Sequence, residues 1–570
     1  MEQSERIRIQ KGVFTICFVL MSIINQILGS AEGRPQLVAK NCLGILMAVI
    51  ILAVYDYRDF LKLPYYIWSG VFVIGYAVSL VYASENYLYF WRWAVAGLNV
   101  GLYGLIVLRL IIKIFYERGR LNMRWTAFCR WIAMMFFMVI FSHDRVWPVW
   151  FFVMFGCFYL TEYSKEERAA LFDGMMNGII ISFFIIQGLA TLYRCYDQVR
   201  YTGLFTNSNM NALFYLVVQI AILGKWYKFA KEGAGLFWKI LALFGSGVMI
   251  TYCFLTIGRL AFVMMLINVP LMGLFVWKAY GRRQIGRCLA GVFAAIAIAF
   301  LSFPVVFFSI RMIPAYMFSP MRLAGDTPDK IQGWTPLDDP RYVEMDEFLK
   351  ESIGRFSTLF VTSDTITVLQ GQEPVLLISG QGQQPSGALS RGILLTGSKM
   401  SLFELLEYIR LDERTGDTPE NAFLPDEGSV SSMTFRGLIY MDYLSKLNLT
   451  GHSTEENTGV WLTPEYHAPH AHNIFLQMAF EAGIIGGILF LINAVSVLFF
   501  LGRRSIKIRD TDWTYVLNFL LVLNFLFFGC FELDWNVGSL TFTLFFIAQY
   551  QVMHKSDRKR TGYGRRTASL

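Results

Sequence analysis

His467-Ala468-Pro469-His470-Ala471-His472-Asn473 runs directly into IFLQMAFEAGIIGGILFLI over residues 474–492. The second half is predominantly apolar and long enough to begin a membrane-crossing helix, which takes about 20 residues. The first half holds three of the chain's six histidines. Upstream, residues 311–472 form a polar segment far longer than an ordinary connection. A cluster of titratable side chains therefore stands where a large water-facing loop re-enters an apolar phase. Asn473 is positioned to cap the new helix, whose first N–H groups point outward without intrahelical partners. Such a helix end attracts anions, phosphates in particular. An imidazole beside it can accept a proton. Together these features suit a reaction on a phosphorylated lipid.

Composition supports the membrane reading. The chain is 55% hydrophobic and 16% charged, whereas a soluble domain has about a quarter of its residues charged. The apolar residues fall into about fourteen separate runs of near-spanning length, so an all-α polytopic membrane protein is expected. The runs lie near 13–30, 37–55, 65–83, 94–115, 126–142, 147–161, 174–193, 204–224, 239–258, 260–278, 289–309, 474–501, 514–530 and 538–553. The first lacks a small-residue cleavage site and reads as a retained helix. Residues 1–310 thus hold transmembrane helices 1–11, and 311–472 an extracytoplasmic loop with short helices and possible strands. Residues 473–553 hold helices 12–14, and 554–570 a basic tail.

The net charge of +8 does not point to nucleic acid. The basic residues lie in short connectors between apolar runs and in the tail Lys555–Arg566, where they meet lipid headgroups and set topology. The connectors that carry most of the Lys and Arg alternate with poorly charged ones. Both termini are expected in the cytoplasm and the long loop outside. All eight cysteines lie in or beside apolar runs, none in the loop, which excludes a disulfide framework or a CxxC metal knuckle there.

Within the loop, residues 356–380 contain strand-like runs broken by Gly371 and Pro374. Ser401-Leu402-Phe403-Glu404 forms a capping box that opens a short helix to about Leu411. Residues 432–447 have helical periodicity through Phe435, Leu438, Ile439, Tyr443 and Leu447. Asn448-Leu449-Thr450 fits a glycosylation acceptor pattern that is common by chance. Gly483, Gly486 and Gly487 read as close-packing positions.

Arginines at membrane-exit positions are the other candidates for chemistry. Arg200 precedes the eighth run, Arg259 sits between the ninth and tenth, and Arg436 lies on the loop helix. A guanidinium stays charged and grips phosphate oxygens in pairs; the bland alternative is an Arg that snorkels or bonds a carbonyl. His467, His470 and His472 with Glu465 offer nitrogen and oxygen metal ligands, but Pro469 and the i, i+3, i+5 spacing do not put all three on one helix face. His467 and His470 read more simply as solvated loop residues.

The spacing His472-Asn473, nine residues, Gly483, two residues, Gly486 resembles the H-[NSQ]-x9-G-x-x-[GTY] pattern of the O-antigen ligase and polymerase superfamily. The resemblance extends from about residue 200 to 500. Gly203-Leu204-Phe205-Thr206-Asn207-Ser208-Asn209 is similar to the family's Asn-rich segment, Thr256-Ile257-Gly258-Arg259 to its [ST]-x-[SG]-R turn, and the Arg436 helix to one in its large outer loop. The resemblance implies transfer of a glycan from undecaprenyl diphosphate to a glycan, lipid or protein acceptor outside the bacterial cytoplasmic membrane. It implies catalytic roles for His472, Arg436 and Arg259, and a substrate pocket shaped by Arg200, Asn207, Asn209 and Asn473. It implies no metal or other cofactor, and no partners beyond the lipid-linked glycan, the acceptor and membrane lipids. The outer loop is longer here than the family's, which leaves the acceptor open. The rival class is a transporter or flippase of lipid-linked oligosaccharide. It should show ionisable residues and broken helices within the membrane and modest loops, whereas the polar residues here gather outside the apolar runs.

Overall fold

A computed structural model describes residues 3–29, 35–55, 60–83, 87–116, 123–143, 146–192, 196–197, 199–205, 208–281, 285–316, 345–357, 432–452, 460–461, 467–468, 470–507, 512–531 and 540–554. Among these residues the protein is almost wholly helical. The helices are α1 (Gln3–Gly29), α2 (Pro35–Val54), α3 (Leu63–Ala83), α4 (Tyr87–Ile111), α5 (Trp125–Phe141), α6 (Val146–Met154), α7 (Lys165–Leu192), α8 (Ser208–Lys231), α9 (Leu236–Leu255), α10 (Arg259–Tyr280) and α11 (Ile285–Tyr316). After them come α12 (Met345–Ser357), α13 (Ser432–Ser445), α14 (Ile474–Lys507), α15 (Trp513–Gly529), α16 (Leu540–Ala548) and α17 (Tyr550–Met553). Two two-residue hairpins complete the order: Tyr196–Asp197 with Arg200–Tyr201, and Val460–Trp461 with His467–Ala468. Nine of the described helices are long and apolar enough to cross a membrane, and five shorter apolar helices accompany them. The protein is therefore an all-α membrane protein.

The helices agree with the apolar runs and correct the reading of the loop. Helix α11 continues to Tyr316, past the expected loop start. Phe356 does not open a strand; it lies in the last turn of α12. There Phe348 and Phe356 pack on Phe254 with ring centroids 5.6 and 5.7 Å away. The 401–411 helix, the rest of the strand-like run and the basic tail lie outside the described residues.

Two contacts orient the bundle. Asn268 on α10 and Asn524 on α15 exchange amide hydrogen bonds of 3.1 and 2.9 Å. Phe275 meets Phe519, with centroids 5.6 Å apart. Moving forward along α10 means moving backward along α15, so the two helices are antiparallel neighbours. The start of α10 and the end of α15 then lie on one face of the bundle. At 1.5 Å per residue, Arg259 is about 14 Å and Cys530 about 9 Å beyond the Asn268–Asn524 level. The start of α15 lies on the opposite face, where Asp512 pairs with Arg168 of α7 at 3.2 Å. Helix α1 runs parallel to α7. A Cβ at Gly174 would stand 2.7 Å from the Phe14 Cβ, and one at Gly178 would stand 2.6 Å from the Phe18 Cβ. This four-residue glycine spacing lets the backbones meet closely. Asp173 then holds Lys11 of α1 at 2.5 Å and Lys225 and, at 2.9 Å, Lys228 of α8.

Helix α14 is broken. Gly483 has φ 82° and ψ 158° and divides it into a short N-terminal limb and a long C-terminal one. The break leaves backbone groups without intrahelical partners, and the chain after α13 supplies them. Ile484 N–H donates to the Asn448 carbonyl at 2.9 Å, and the Phe480 carbonyl accepts from His452 N–H at 2.8 Å. The Glu481 carbonyl accepts from the Ser142 hydroxyl at 3.1 Å. Asn448 turns the segment by accepting from Thr450 N–H at 3.0 Å and from Gly451 N–H. The Asn448 side chain is thus committed to this turn, and Gly483 is both the break in the helix and a close-packing position against the Leu449–Thr450 backbone. Gly487 also fits the close-packing reading, since a Cβ there would stand 2.6 Å from the Ala479 Cβ of the N-terminal limb.

A Cβ at Gly483 collides with the Leu449 carbonyl and also strains the backbone. Gly483→Ala is expected to cost at least about 2 kcal/mol and to lower the thermal midpoint of the detergent-solubilised protein. Gly291→Ala, in open space on α11, is expected to leave the midpoint unchanged or raise it.

Candidate functional site

The site begins with the cap of α14. The Asn473 side-chain oxygen accepts from Phe475 N–H at 3.0 Å and from Leu476 N–H at 3.1 Å, which are the orphan donors of the first turn. Its amide donates to the Cys530 carbonyl at the end of α15, also at 3.0 Å. The Tyr440 hydroxyl lies 3.2 Å from the Cys530 carbonyl and 3.2 Å from that of His472. One knot therefore joins α13, the start of α14 and the end of α15. Arg436 stands one helical turn before Tyr440 and so on the same face of α13.

His472 is held in the left-handed region with φ 47°. Its N–H donates to His470 Nδ1 at 3.4 Å, and the two rings pack with centroids 4.2 Å apart. His470 is thus part of the same structure and not merely a solvated loop residue. Among the described residues, Ile257 (φ 50°) is the other non-glycine with positive φ. Such conformations cost of order 1–3 kcal/mol and gather at functional sites. Ile257 stands two residues before Arg259.

A second group surrounds that turn. Arg200 Nη2 donates to the Asn209 side-chain oxygen at 2.7 Å, and Arg200 Nε donates to the Thr256 carbonyl at 3.1 Å. Arg259 opens α10 and donates to the Arg355 carbonyl at 3.2 Å. That carbonyl belongs to the last turn of α12, where the helix dipole favours a cation. The structure thus brings Arg200, Asn209 and Arg259 together around Thr256, and His472, Asn473 and the Arg436 helix together around Cys530. The antiparallel pairing of α10 and α15 puts both groups on one face of the bundle, at the ends of adjacent helices. Asn207 lies outside the described residues.

Several participants were not singled out in the sequence. Arg355 could have been found from the spacing Phe348, Leu349, Ser352, Phe356, which has a helical period. Tyr440 carries the i, i+4 signal from Arg436. Glu481 is a buried carboxylate that accepts from Gln477 Nε2 at 2.6 Å; the Gln477 oxygen accepts in turn from Ala471 N–H at 2.9 Å. Glu465 lies outside the described residues, and among those described no three His, Cys, Asp or Glu side chains are grouped to hold a metal ion.

Comparison with protein-family models, with curated proteins and with solved structures found no match.

Tyr440→Phe removes the hydroxyl whose single proton is shared between the His472 and Cys530 carbonyls, a contribution of about 1 kcal/mol. Faster tryptic cleavage after Arg436 and Lys446 is expected in the variant, with the long helices still protected. An unchanged cleavage rate would show that the knot does not hold α13.

Proposed function

We propose that the chain is an integral-membrane glycosyltransferase of the O-antigen ligase and polymerase type. It takes a glycan from undecaprenyl diphosphate and passes it to a glycan, lipid or protein acceptor on the outer side of the bacterial cytoplasmic membrane. In this reading the nine long and five short apolar helices are all spans, fourteen in total, with one large outer loop between the eleventh and twelfth. The alternation of basic connectors supports putting both termini in the cytoplasm and the candidate site outside.

The observation that carries the reading is the sharing of one bundle face by the Arg259 turn and the His472 cap, each with a strained residue beside it. The His472-Asn473-x9-Gly483-x-x-Gly486 spacing supplies the reaction class. The acceptor hydroxyl gives its proton to the His472 imidazole as its oxygen bonds the anomeric carbon of the donor sugar. The bond from that carbon to the diphosphate breaks, and undecaprenyl diphosphate leaves with the electron pair. Arg436 and Arg259 stabilise the charge growing on the leaving group. Arg200, Asn209 and Asn473 shape the pocket, with Asn207. The α14 end adds the positive pole of its helix dipole beside the same anion, its first-turn N–H groups being taken up by Asn473.

The test is single-turnover transfer by purified protein given an undecaprenyl-diphosphate glycan and an acceptor. His472→Ala and Arg436→Ala are each expected to slow product formation by at least about 100-fold without lowering membrane abundance. Undiminished product from both variants would remove the site. Movement of the glycan lipid across the bilayer with no new glycosidic bond would favour a flippase.

A further inference from the structure

Glu481 stands two residues before the break in α14 and is buried. Its backbone belongs to the block that fills the break. Its carbonyl accepts from the Ser142 hydroxyl at 3.1 Å, and the neighbouring His143 N–H donates to the Thr450 carbonyl of the inserted turn at 3.0 Å. Its side chain reaches Gln477, one helical turn earlier. Gln477 Nε2 donates to Glu481 Oε1 at 2.6 Å, and Gln477 Oε1 accepts from Ala471 N–H at 2.9 Å. Gln477 and Ala471 are buried too, Ala471 in one cluster with Ile439, Tyr443 and Phe480. The residue after Ala471 is His472.

Chemistry fixes the order of these groups. A backbone N–H only donates, so the Gln477 atom facing Ala471 is the oxygen and the amide nitrogen faces Glu481. An ionised carboxylate only accepts, so it holds the amide in that sense; a second amide could present its own N–H groups and turn Gln477 round. A turned amide would set the buried Ala471 N–H against another donor, and a buried donor without an acceptor is costly. The bond matters for His472, whose backbone is held at φ 47°. Such a conformation persists where its surroundings over-determine it. The His472 N–H is held by His470 Nδ1 and the His472 carbonyl by the Tyr440 hydroxyl. The Gln477 oxygen fixes the peptide just before them.

We propose that Glu481 is a positioning residue for the transfer reaction: through Gln477 and the Ala471 N–H it holds the backbone from which His472 presents its imidazole to the acceptor hydroxyl. The inference rests on the reading of His472 as the base. Glu481 acts through Gln477 and not on the substrate. Its own carbonyl is fixed by the end of α5, so the relay ties the placement of the base to the helix break.

Single-turnover transfer by the purified full chain, followed over a range of undecaprenyl-diphosphate glycan concentrations, tests this. Gln477→Glu sets two carboxylates against each other. It is expected to slow transfer at saturating donor by at least about 10-fold and to leave the half-saturating donor concentration unchanged. Gln477→Glu combined with Glu481→Gln exchanges the two roles. The carboxylate at 477 then accepts from both the Ala471 N–H and the amide at 481, so both bonds return and most of the wild-type rate with them. General damage to the fold gives no such rescue. Gln477→Glu at the wild-type rate, or a combined variant no faster than the single one, would overturn the inference while His472→Ala stayed inactive. A change confined to the half-saturating donor concentration would also overturn it. Full product from His472→Ala would remove the reading of the base and this inference with it.

Discussion

Backbone N–H and C=O groups inside an apolar phase must find partners within the protein, because no water is there to supply them. The break at Gly483 makes this demand acute. An unbroken helix would pair Ile484 N–H with the Phe480 carbonyl. Here the first donates to Asn448 and the second accepts from His452. A returning segment of the chain between α13 and α14 is thus built into the helix break. That insertion fixes α13 over the start of α14 and sets the distance between the loop arginine and the helix-end histidine.

The rest of the candidate site follows from helix packing. Antiparallel contact between α10 and α15 carries the Arg259 turn and the Cys530 carbonyl to one face. Asn473 and Tyr440 both bond that carbonyl, so the end of α15 is the common anchor. Helix α12 adds its C-terminal carbonyls beneath Arg259. Rigid elements therefore supply groups that a loop alone would leave loose. Such preorganisation is what charge stabilisation in a reaction requires.

Much of this was legible in the chain. Each of the long apolar helices shows as an apolar run, because the bilayer selects length and composition residue by residue. The Asn473 cap and the α13 helix are local, so their signatures lie within a few positions. The break was not legible as a break. Gly483 looks like any small residue in an apolar run, and its meaning depends on a segment more than thirty residues earlier in the chain. For the same reason Asn448 read as part of a surface motif, although it holds the inserted turn. Helix α12 was hidden by a β-rich run that follows Phe356, although its own apolar spacing was helical. Tyr440 had only its i, i+4 spacing from Arg436, and the Cys530 carbonyl, being backbone, had no local signal.

The most direct measurement of the central claim is photo-crosslinking with an undecaprenyl diphosphate that carries a photoreactive group next to the diphosphate, mapped by peptide mass analysis. The account predicts labelling of peptides around Arg259 and around His472 in the same preparation, both suppressed by unlabelled undecaprenyl diphosphate. Labelling confined to one of them, or found at the Arg168–Asp512 face, would contradict it.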